Sequence, residues 1–359
     1  MNRRWICNDV WMDILPCFDR PQLGLKLALL SPRFNALVDK HFDGKSELTI
    51  WRRILIHKGK GPEPKLSEWI DGKFADFPLP DRPLPSKIRF KYLRIDYIDH
   101  SIIVFLRANH QIFDKRGTDL QLWIPCSYTI DVQQIWDIFV REIWPIFSAN
   151  IRRLDFTGGD DLDNLLCRTS PTILTDLLNL NSIELRHLLP DSIGDDLDMQ
   201  NVTISAGQAL NKWLHIPSKD GQRKRFRCAL MNEQAYLDWV NNFKEAFLRA
   251  NAISSVSYQI HFSVHVPSMQ IVPFELVNEW TKEKLTLAKA KKGDDWIMKR
   301  SKIGEAAAVH WENENCYDWN TVLFWFYNGT NSIGPLSPPP GRRRSPGQSI
   351  TKGQSSVDK

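Results

Sequence analysis

Six short apolar segments recur along the middle of this 359-residue chain, at a spacing that few folds can accommodate. Three share the pattern apolar-x-x-apolar-x-apolar, at 90–95, 151–156 and 180–185, and weaker copies lie at 120–122, 226–228 and 258–260. Between two of these segments, residues 132–143 carry apolar side chains at the 3.6-residue spacing of a helix. Strand and helix units that recur about every thirty residues predict a layered body in which each unit buries its apolar face on the next.

The repeating units resemble those of an irregular leucine-rich-repeat solenoid, although one hallmark is missing. The asparagine that satisfies backbone groups in the turn of such repeats has no counterpart, since Ile98, Gly159 and Leu188 lie near its expected places. We therefore predict an α+β protein of several domains with a layered α/β, leucine-rich-repeat-like body at 88–255. Alternating apolar residues predict a mostly antiparallel β region at 256–330, with one helix near 305–311.

The N-terminal segment predicts three short helices with apolar side chains on nearly every face. Asn8 or Asp9 can cap the first helix, and Pro21 suits the first turn of the second. Ser31 and Pro32 supply a cap and a first-turn proline for the third helix. A helix that is apolar all round has to be buried all round.

Three helices of about forty residues in total are too small to bury this apolar surface by themselves. Each uncovered leucine or phenylalanine side chain forgoes roughly 1.5–3 kcal/mol. Two arrangements remain: the helices pack on the rest of this chain, or a separate protein covers them. Physical reasoning from the sequence leaves both open.

The same segment resembles an F-box, over the residues ICNDVWMDILPCFDRPQLGLKLALLSPRFNALVDKHF at 6–42. An F-box has an opening Leu-Pro pair, an apolar pair in helix one, Pro-x-Leu at helix two, and a basic-Trp pair and a leucine in helix three. Those places are held here by Ile6-Cys7, Ile14-Leu15, Pro21 to Leu23, Arg33-Phe34 and Leu37. Ile6-Cys7 and Phe34 depart from the pattern. They keep open the alternative of a non-catalytic scaffold protein whose helices pack on its own body.

The rest of the chain is similar to an F-box group that is expanded in nematodes. The segments that carry this similarity are SPTIL at 170–174, SAGQALNKWLHIPSKDG at 205–221, VPFELVNEWTKEKLTL at 272–287 and RSKIGEAAAVHWENE at 300–314. The resemblance implies a substrate-recognition subunit of an SCF-type E3 ubiquitin ligase. In such a subunit the F-box binds a Skp-type adaptor, and through it a cullin–RING ligase, while the body binds a protein target.

The resemblance also implies which residues contact these partners. The expected adaptor-binding residues are Ile6, Val10, Ile14, Leu15, Pro21, Leu23, Leu27, Leu30, Phe34 and Leu37. For the target, the basic run at 222–227 supplies the candidates Arg223, Lys224, Arg225 and Arg227, because arginine binds acidic or phosphorylated groups bidentately. Solvated surface charge is the alternative interpretation of this run.

The sequence predicts no catalytic, metal or cofactor site. The motifs of phosphate-binding loops, serine hydrolases, zinc proteases and dinucleotide-binding folds are absent from it. The two GDDLD segments, at 159–163 and 194–198, predict acidic turns that cap helices. His261 and His265 have no third metal ligand near them in the sequence. An enzyme of the layered α/β type is the least favoured hypothesis.

Charge and cysteine usage predict a cytoplasmic or nuclear protein that binds neither nucleic acid nor membrane. Residues 341–359 carry five basic residues and one acidic residue, so most of the net charge of +5 belongs to this tail. A nucleic-acid-binding protein instead spreads positive charge over a folded face. The six cysteines lack disulfide-like spacing, the N-terminus lacks a signal peptide pattern, and no apolar run reaches the roughly 18–20 residues of a membrane span.

The predicted organisation has five parts. Residues 1–46 form the F-box, 47–87 a proline-rich, loop-like linker, 88–255 the α/β repeat-like region, 256–330 the β-rich region, and 331–359 a disordered basic tail rich in proline and serine.

Overall fold

In the part of the chain that the structure describes, the protein is of the α+β class and is built on a thirteen-stranded, mostly parallel sheet. A computed structural model describes residues 6–18, 22–43, 49–51, 53–59, 61, 63–70, 73–80, 82–84, 89–114, 117–124, 130–188, 206–230, 233–251, 256–264, 270–290, 295–304, 320–326 and 333–336. The second GDDLD segment, the helix predicted near 305–311 and all of the tail except 333–336 lie outside these residues.

The N-terminal helices follow one another closely. Helix α1 spans Asn8–Ile14 and runs into a 3-10 turn at Leu15–Cys17. A π-helical segment, Leu23–Leu27, continues into α2, Ala28–Leu30, and α3 spans Pro32–Phe42. The Ser31 hydroxyl accepts a hydrogen bond from the Phe34 amide at 3.3 Å, so the predicted cap and the first-turn proline of α3 are confirmed.

The strands of the large sheet lie in the order β12-β13-β14-β11-β10-β9-β8-β7-β15-β6-β2-β3-β4, and β1 and β5 form a separate parallel pair. Their bounds are β1 Thr49–Trp51, β2 Ile54–Lys58, β3 Pro64–Ile70, β4 Lys73–Pro78, β5 Arg89–Phe90, β6 Tyr92–Ile95, β7 Thr118–Trp123, β8 Ile151–Gly158, β9 Ser182–Leu188, β10 Lys224–Leu230, β11 Tyr258–Val264, β12 Phe274–Asn278, β13 Glu283–Lys289, β14 Trp296–Lys302 and β15 Asn320–Trp325. Strands β2, β6, β15 and β7 to β11 run parallel, with antiparallel strands at both edges. Strand β11 pairs with β14, β14 with β13, and β13 with β12. All three pairs are antiparallel, as expected for the C-terminal region.

Helices connect successive parallel strands. They are α4 His100–Ala108, α5 Gln111–Asp114, α6 Ile130–Ile138, α7 Trp144–Phe147, α8 Gly159–Arg168, α9 Ile173–Asp176, α10 Ala206–Leu214 and α11 Glu233–Arg249, with a π-helical turn at Phe139–Ile143 between α6 and α7 and a 3-10 turn at Ser148–Asn150. Phe139 and Phe147 pack on Phe324 of β15, and Trp239 of α11 packs on Phe226 of β10. The helices therefore cover the sheet face that carries Phe324 and Phe226.

The apolar pattern of the sequence forms continuous rows across this covered face. One row pairs, in register, Ile54, Leu93, Val322, Leu120, Leu154, Ile183, Phe226, Ile260, Met298 and Leu287, and each of these side chains is buried. The six predicted strands at 93, 120, 154, 183, 226 and 258 are thus confirmed as elements. Each strand contributes one apolar side chain to the same buried layer.

The prediction that residues 47–87 form a loop-like linker was wrong, because this segment contains β2, β3 and β4. Pro64 begins β3 and Pro78 ends β4, where proline costs few ladder hydrogen bonds. Leu66 and Phe77 are paired and buried at this edge of the sheet. Two of the prolines in this segment therefore stand at strand ends, where they are compatible with the sheet.

A second correction concerns β15. Its sequence, NTVLFW, was expected to join the antiparallel C-terminal region, but it lies parallel between β6 and β7. Residues Ile333 and Gly334 then pair with Ile98, which follows β6. The last described residues are therefore hydrogen-bonded to the segment that follows β6.

Gly334 fits against Tyr97 only because it lacks a side chain. A Cβ atom there would overlap the Tyr97 hydroxyl and would lie 2.9 Å from Asp99 Cβ, and both neighbours are buried. We expect Gly334→Ala to lower the free energy of unfolding by about 1–3 kcal/mol, the usual cost of overpacking. Gly61→Ala is the matched control, since a Cβ atom at that position would have no neighbour within 4 Å. Urea unfolding of both variants measures this, and equal stabilities would contradict the assigned contact.

Candidate protein-binding surfaces

The N-terminal helices bury part of the predicted adaptor-binding set and expose the rest. Leu15, Leu23, Leu27 and Leu37 are buried, Ile14 and Phe34 are half-buried, and Ile6, Val10 and Leu30 expose 47%, 44% and 65% of their surface. Pro21 lies outside the described residues. In this conformation the buried members are enclosed by side chains of this chain, so the surface offered to a partner is carried by the exposed members.

Polar contacts between the helices hold this arrangement. The Arg33 guanidinium of α3 donates to Asn8 Oδ1 at 2.8 Å and to the Ile6 carbonyl oxygen at 2.6 Å. The prediction that Asn8 or Asp9 caps α1 was therefore wrong. Cys7 occupies the cap position without a side-chain hydrogen bond, and the Asn8 side chain instead ties α1 to α3.

Ring contacts complete the packing of the helices. Trp11 and Phe34 meet edge to face, with ring centroids 4.8 Å apart. The Lys26 ammonium lies 5.3 Å from the centroid of the Phe77 ring, which joins the helices to β4 on the helix-covered face of the sheet. The three helices thus contact the body at one edge of the sheet.

The basic run at 222–227 does not form one patch, because strand alternation divides it. Lys224 is buried: its ammonium donates to the Trp213 carbonyl oxygen and lies 4.9 Å from the Trp213 ring. Burial lowers the pKa of Lys224 to about 8. Including Lys224 in a target-binding patch was therefore wrong. Arg225 and Arg227 alternate with it and lie on the opposite face of the sheet.

That opposite face, which we call the polar face, is formed by the alternate side chains of the parallel strands. Its members include Arg94, Asp119, Gln121, Trp123, Arg153, Asp155, Glu184, Arg186, Arg225, Arg227, Gln259, His261 and Trp325. Arg223, which precedes β10, donates to the Ser257 hydroxyl at 2.9 Å. The structure therefore brings Arg225 and Arg227 into a larger surface of charged and aromatic side chains.

Two tryptophans and two arginines form a stack on the polar face, which we call the Arg–Trp stack. The Trp123 and Trp325 rings are stacked with centroids 3.8 Å apart. The Arg94 guanidinium lies 4.6 Å from the centroid of Trp325, and the Arg186 guanidinium lies 5.1 Å from that of Trp123. Cation–π contacts of this kind fix the position of arginine side chains that would otherwise be mobile.

Carboxylates that pair with these arginines complete the polar face. Asp96 accepts two hydrogen bonds from Arg94, at 2.6 and 2.9 Å, and Asp155 lies 3.4 Å from Arg186. Burial raises the pKa of Asp155 above its ordinary value, an effect that the Glu184 carboxylate increases and Arg186 opposes. Burial likewise raises the pKa of Asp119 to about 6, although the Arg153 guanidinium 3.7 Å away opposes this shift.

His261 lies among these charges and is buried. Its ring nitrogen Nε2 is 2.6 Å from the Gln259 side-chain amide. Burial lowers the pKa of His261 to about 4, and the neighbouring Arg227 adds to the effect. The imidazole is therefore neutral at physiological pH. His265, the second histidine of this segment, lies outside the described residues.

A serine, a histidine and an aspartate meet on β2 to β4, but their geometry differs from that of a hydrolase triad. The Ser67 hydroxyl donates to Asp76 at 2.6 Å, and His57 Nε2 lies 2.7 Å from the same hydroxyl oxygen. In a triad the aspartate accepts a hydrogen bond from the histidine, on the ring nitrogen away from the serine. Here that nitrogen faces the Lys58 carbonyl oxygen. The Ser67 bond contributes most to lowering the pKa of Asp76.

Sequence reasoning missed the Arg–Trp stack, although a signal for it was present. In β6 to β9 every second residue is polar or aromatic, as in Tyr92-Leu93-Arg94-Ile95 and Asp119-Leu120-Gln121-Leu122-Trp123. Alternation of this kind marks a strand with one face off the core. What the alternation does not show is that Trp325, from the far end of the chain, lies beside Trp123.

Comparison of the chain with models of known protein families, with curated proteins and with solved structures finds no match. Over the part of the chain that the structure describes, no helix is both long enough and apolar enough to cross a membrane. Within the same residues, no group of three or more potential metal-ligating side chains comes together.

The raised pKa of Asp119 predicts a specific pH dependence of stability. The native state holds the Asp119 proton up to about pH 6, whereas the unfolded chain releases it near 3.8, so the native state binds more protons between these values. Relative to Asp119→Asn, which does not titrate, the wild type should therefore gain about 2 kcal/mol of unfolding free energy as the pH falls from 7 to 4. Urea unfolding across this range measures the difference. A difference that stays constant with pH would contradict the assignment.

Proposed function

We propose that this chain is the non-catalytic substrate-recognition subunit of an SCF-type ubiquitin ligase. The N-terminal helices would bind a Skp-type adaptor, and through it a cullin–RING ligase, while the polar face would hold the protein target. Such a subunit acts by proximity, since holding a target beside the transfer machinery lowers the barrier without chemistry of its own. The proposal places the protein in the cytoplasm or the nucleus.

The observation that carries this proposal is the presence of two separate candidate binding surfaces. The helices that resemble an F-box expose Ile6, Val10 and Leu30. They reach Phe77 on the helix-covered side of the sheet, so the polar face lies on the other side. A chain that links an adaptor to a target needs two surfaces that can be occupied at once, and this arrangement supports that use.

The architecture of the body supports an irregular leucine-rich-repeat-like interpretation. From β6 to β11 the strands of the repeating units follow in chain order across the sheet, with β15 the exception, and a helical segment connects each pair. Because parallel crossovers are right-handed, helices of successive units fall on one face and leave the other for binding. We propose that the polar face corresponds to the ligand-binding side of such a repeat protein.

A second candidate function is favoured by the burial of the helices themselves. Leu15, Leu23, Leu27 and Leu37 belong to this chain's own core, which is what a self-contained scaffold protein with packed N-terminal helices requires. In that case the helices stabilise the body, and only the polar face binds a partner. Deletion of residues 1–46 would then lower the melting temperature of the body, with adaptor capture absent from the full-length chain.

The adaptor-binding proposal is tested by capturing purified Skp-type adaptor on the immobilised full-length chain. Val10→Asp and Leu30→Asp place a charge on exposed apolar positions, so we expect at least about a tenfold loss of affinity with folding retained. Leu178→Asp is the matched control, because this leucine is 62% exposed in the segment after α9. Wild-type chain that fails to capture the adaptor, or capture that both N-terminal variants leave unchanged, would overturn the proposal in favour of the scaffold.

A further inference from the structure

The charged groups of the polar face are unequally accessible, and this decides what the face presents to a partner. The side chains of Arg94, Arg186 and Arg227 are 35%, 42% and 40% exposed. Those of Asp119 and Asp155 are 4% and 2% exposed. Asp119 and Asp155 lie beneath the guanidinium groups, whereas Asp96 and Asp295, the partners of Arg94 and Arg227, are 25% and 29% exposed. Each of the three arginines is still more exposed than the carboxylate with which it pairs, so the surface available for contact is more basic than acidic.

These arginines are held in place before any partner binds. Arg94 is fixed by Asp96 and by the Trp325 ring, and Arg186 by Asp155 and the Trp123 ring. An arginine with a fixed guanidinium loses little side-chain entropy when it accepts a partner, and tryptophan and arginine are the residues most often found at binding hot spots. Arg94 donates two hydrogen bonds to Asp96, from Nε and Nη2. A guanidinium group has five N–H donors in all.

We propose that the Arg–Trp stack is the anchor site for an acidic protein segment, one rich in aspartate and glutamate. Its carboxylates would accept hydrogen bonds from Arg94 and Arg186, its apolar side chains would lie along the edges of the two indole rings, and Arg227 would extend the cationic surface along the sheet. This inference names the chemistry of the target and rests on the part of the proposed function that assigns target binding to the polar face.

Charge alone would also suit a nucleic acid, but the geometry of the rings favours protein. Single-stranded nucleic acids bind by stacking their bases on exposed aromatic faces. Here one face of each indole is covered by the other indole at 3.8 Å, and a guanidinium lies over Trp325 at 4.6 Å and over Trp123 at 5.1 Å. The stack therefore offers ring edges and guanidinium groups, which fit carboxylates and aliphatic side chains.

The test is selection from a random peptide display library on the immobilised full-length chain. We expect the bound peptides to be enriched in aspartate and glutamate over the input library. Arg94→Gln with Arg186→Gln should weaken the best selected peptide by about tenfold or more, the loss of two charge-assisted hydrogen bonds. Arg141→Gln with Arg249→Gln is the matched control, since both arginines are exposed and paired with glutamates on the helical side.

Several outcomes would overturn the proposal. They are an absence of acidic enrichment, equal binding by the polar-face double variant and the wild type, or saturable binding of a labelled oligouridine in place of peptide. Thermal unfolding shows whether each variant folds. If the glutamine variant does not, Arg94→Lys with Arg186→Lys keeps the charge but loses the planar fork, and an undiminished affinity in that variant overturns the inference.

Adaptor capture measured on the same proteins separates this inference from the ligase proposal. If acidic peptides bind the chain but the chain has no affinity for the adaptor, the anchor site is supported and the ligase assignment is contradicted. If the chain captures the adaptor but selects no acidic peptides, adaptor binding is supported and the anchor site is contradicted.

Discussion

The in-register row of buried apolar side chains across the parallel strands is the constraint on which the rest of this structure depends. It fixes the strand register, because a slip of one residue would turn every apolar side chain away from the helices. Leu93, Leu120, Leu154, Ile183 and Phe226 are each buried in this row. The residues between them are thereby assigned to the other face, so the same apolar pattern that builds the core also places Arg94, Asp155 and Arg227 on the polar face.

Strand β15 shows where local patterns stop being informative. Its run of apolar residues predicts a strand, and Phe324 packs on Phe139 and Phe147 as a core residue should. Nothing in the sequence of β15 specifies that its neighbours are β6 and β7, because an apolar strand satisfies any gap between parallel strands equally well. In the structure, pairing with β6 and β7 and the contacts of Phe324 with the helical layer hold it there. The individual strands could therefore be predicted from the sequence, whereas their order could not.

Two candidate sites show what residue type alone leaves open. Lys224 looks like surface charge in a run of basic residues, yet strand alternation turns it inward, where its long stem crosses the core and its ammonium finds a carbonyl oxygen. Leu23 and Leu27 look like a surface that needs a partner, yet neighbouring helices of this chain enclose them. In both cases the sequence gives the residue type, and only the structure gives the direction of the side chain. Direction depends on which element forms and on what packs against it.

The polar face shows how a network of paired charges can still present one sign selectively. Formal charge counts every ionised group equally, but a partner can contact only the groups that are exposed. Buried carboxylates such as Asp155 attract the arginines above them and hold those side chains extended along the sheet. Desolvation of the Asp155 carboxylate raises its pKa and is the energetic cost of this arrangement. The electrostatic attraction of the Arg186 guanidinium opposes that cost. Depth below the surface thus sets how much of each charge a partner can contact: Asp155 is 2% exposed, whereas its partner Arg186 is 42% exposed.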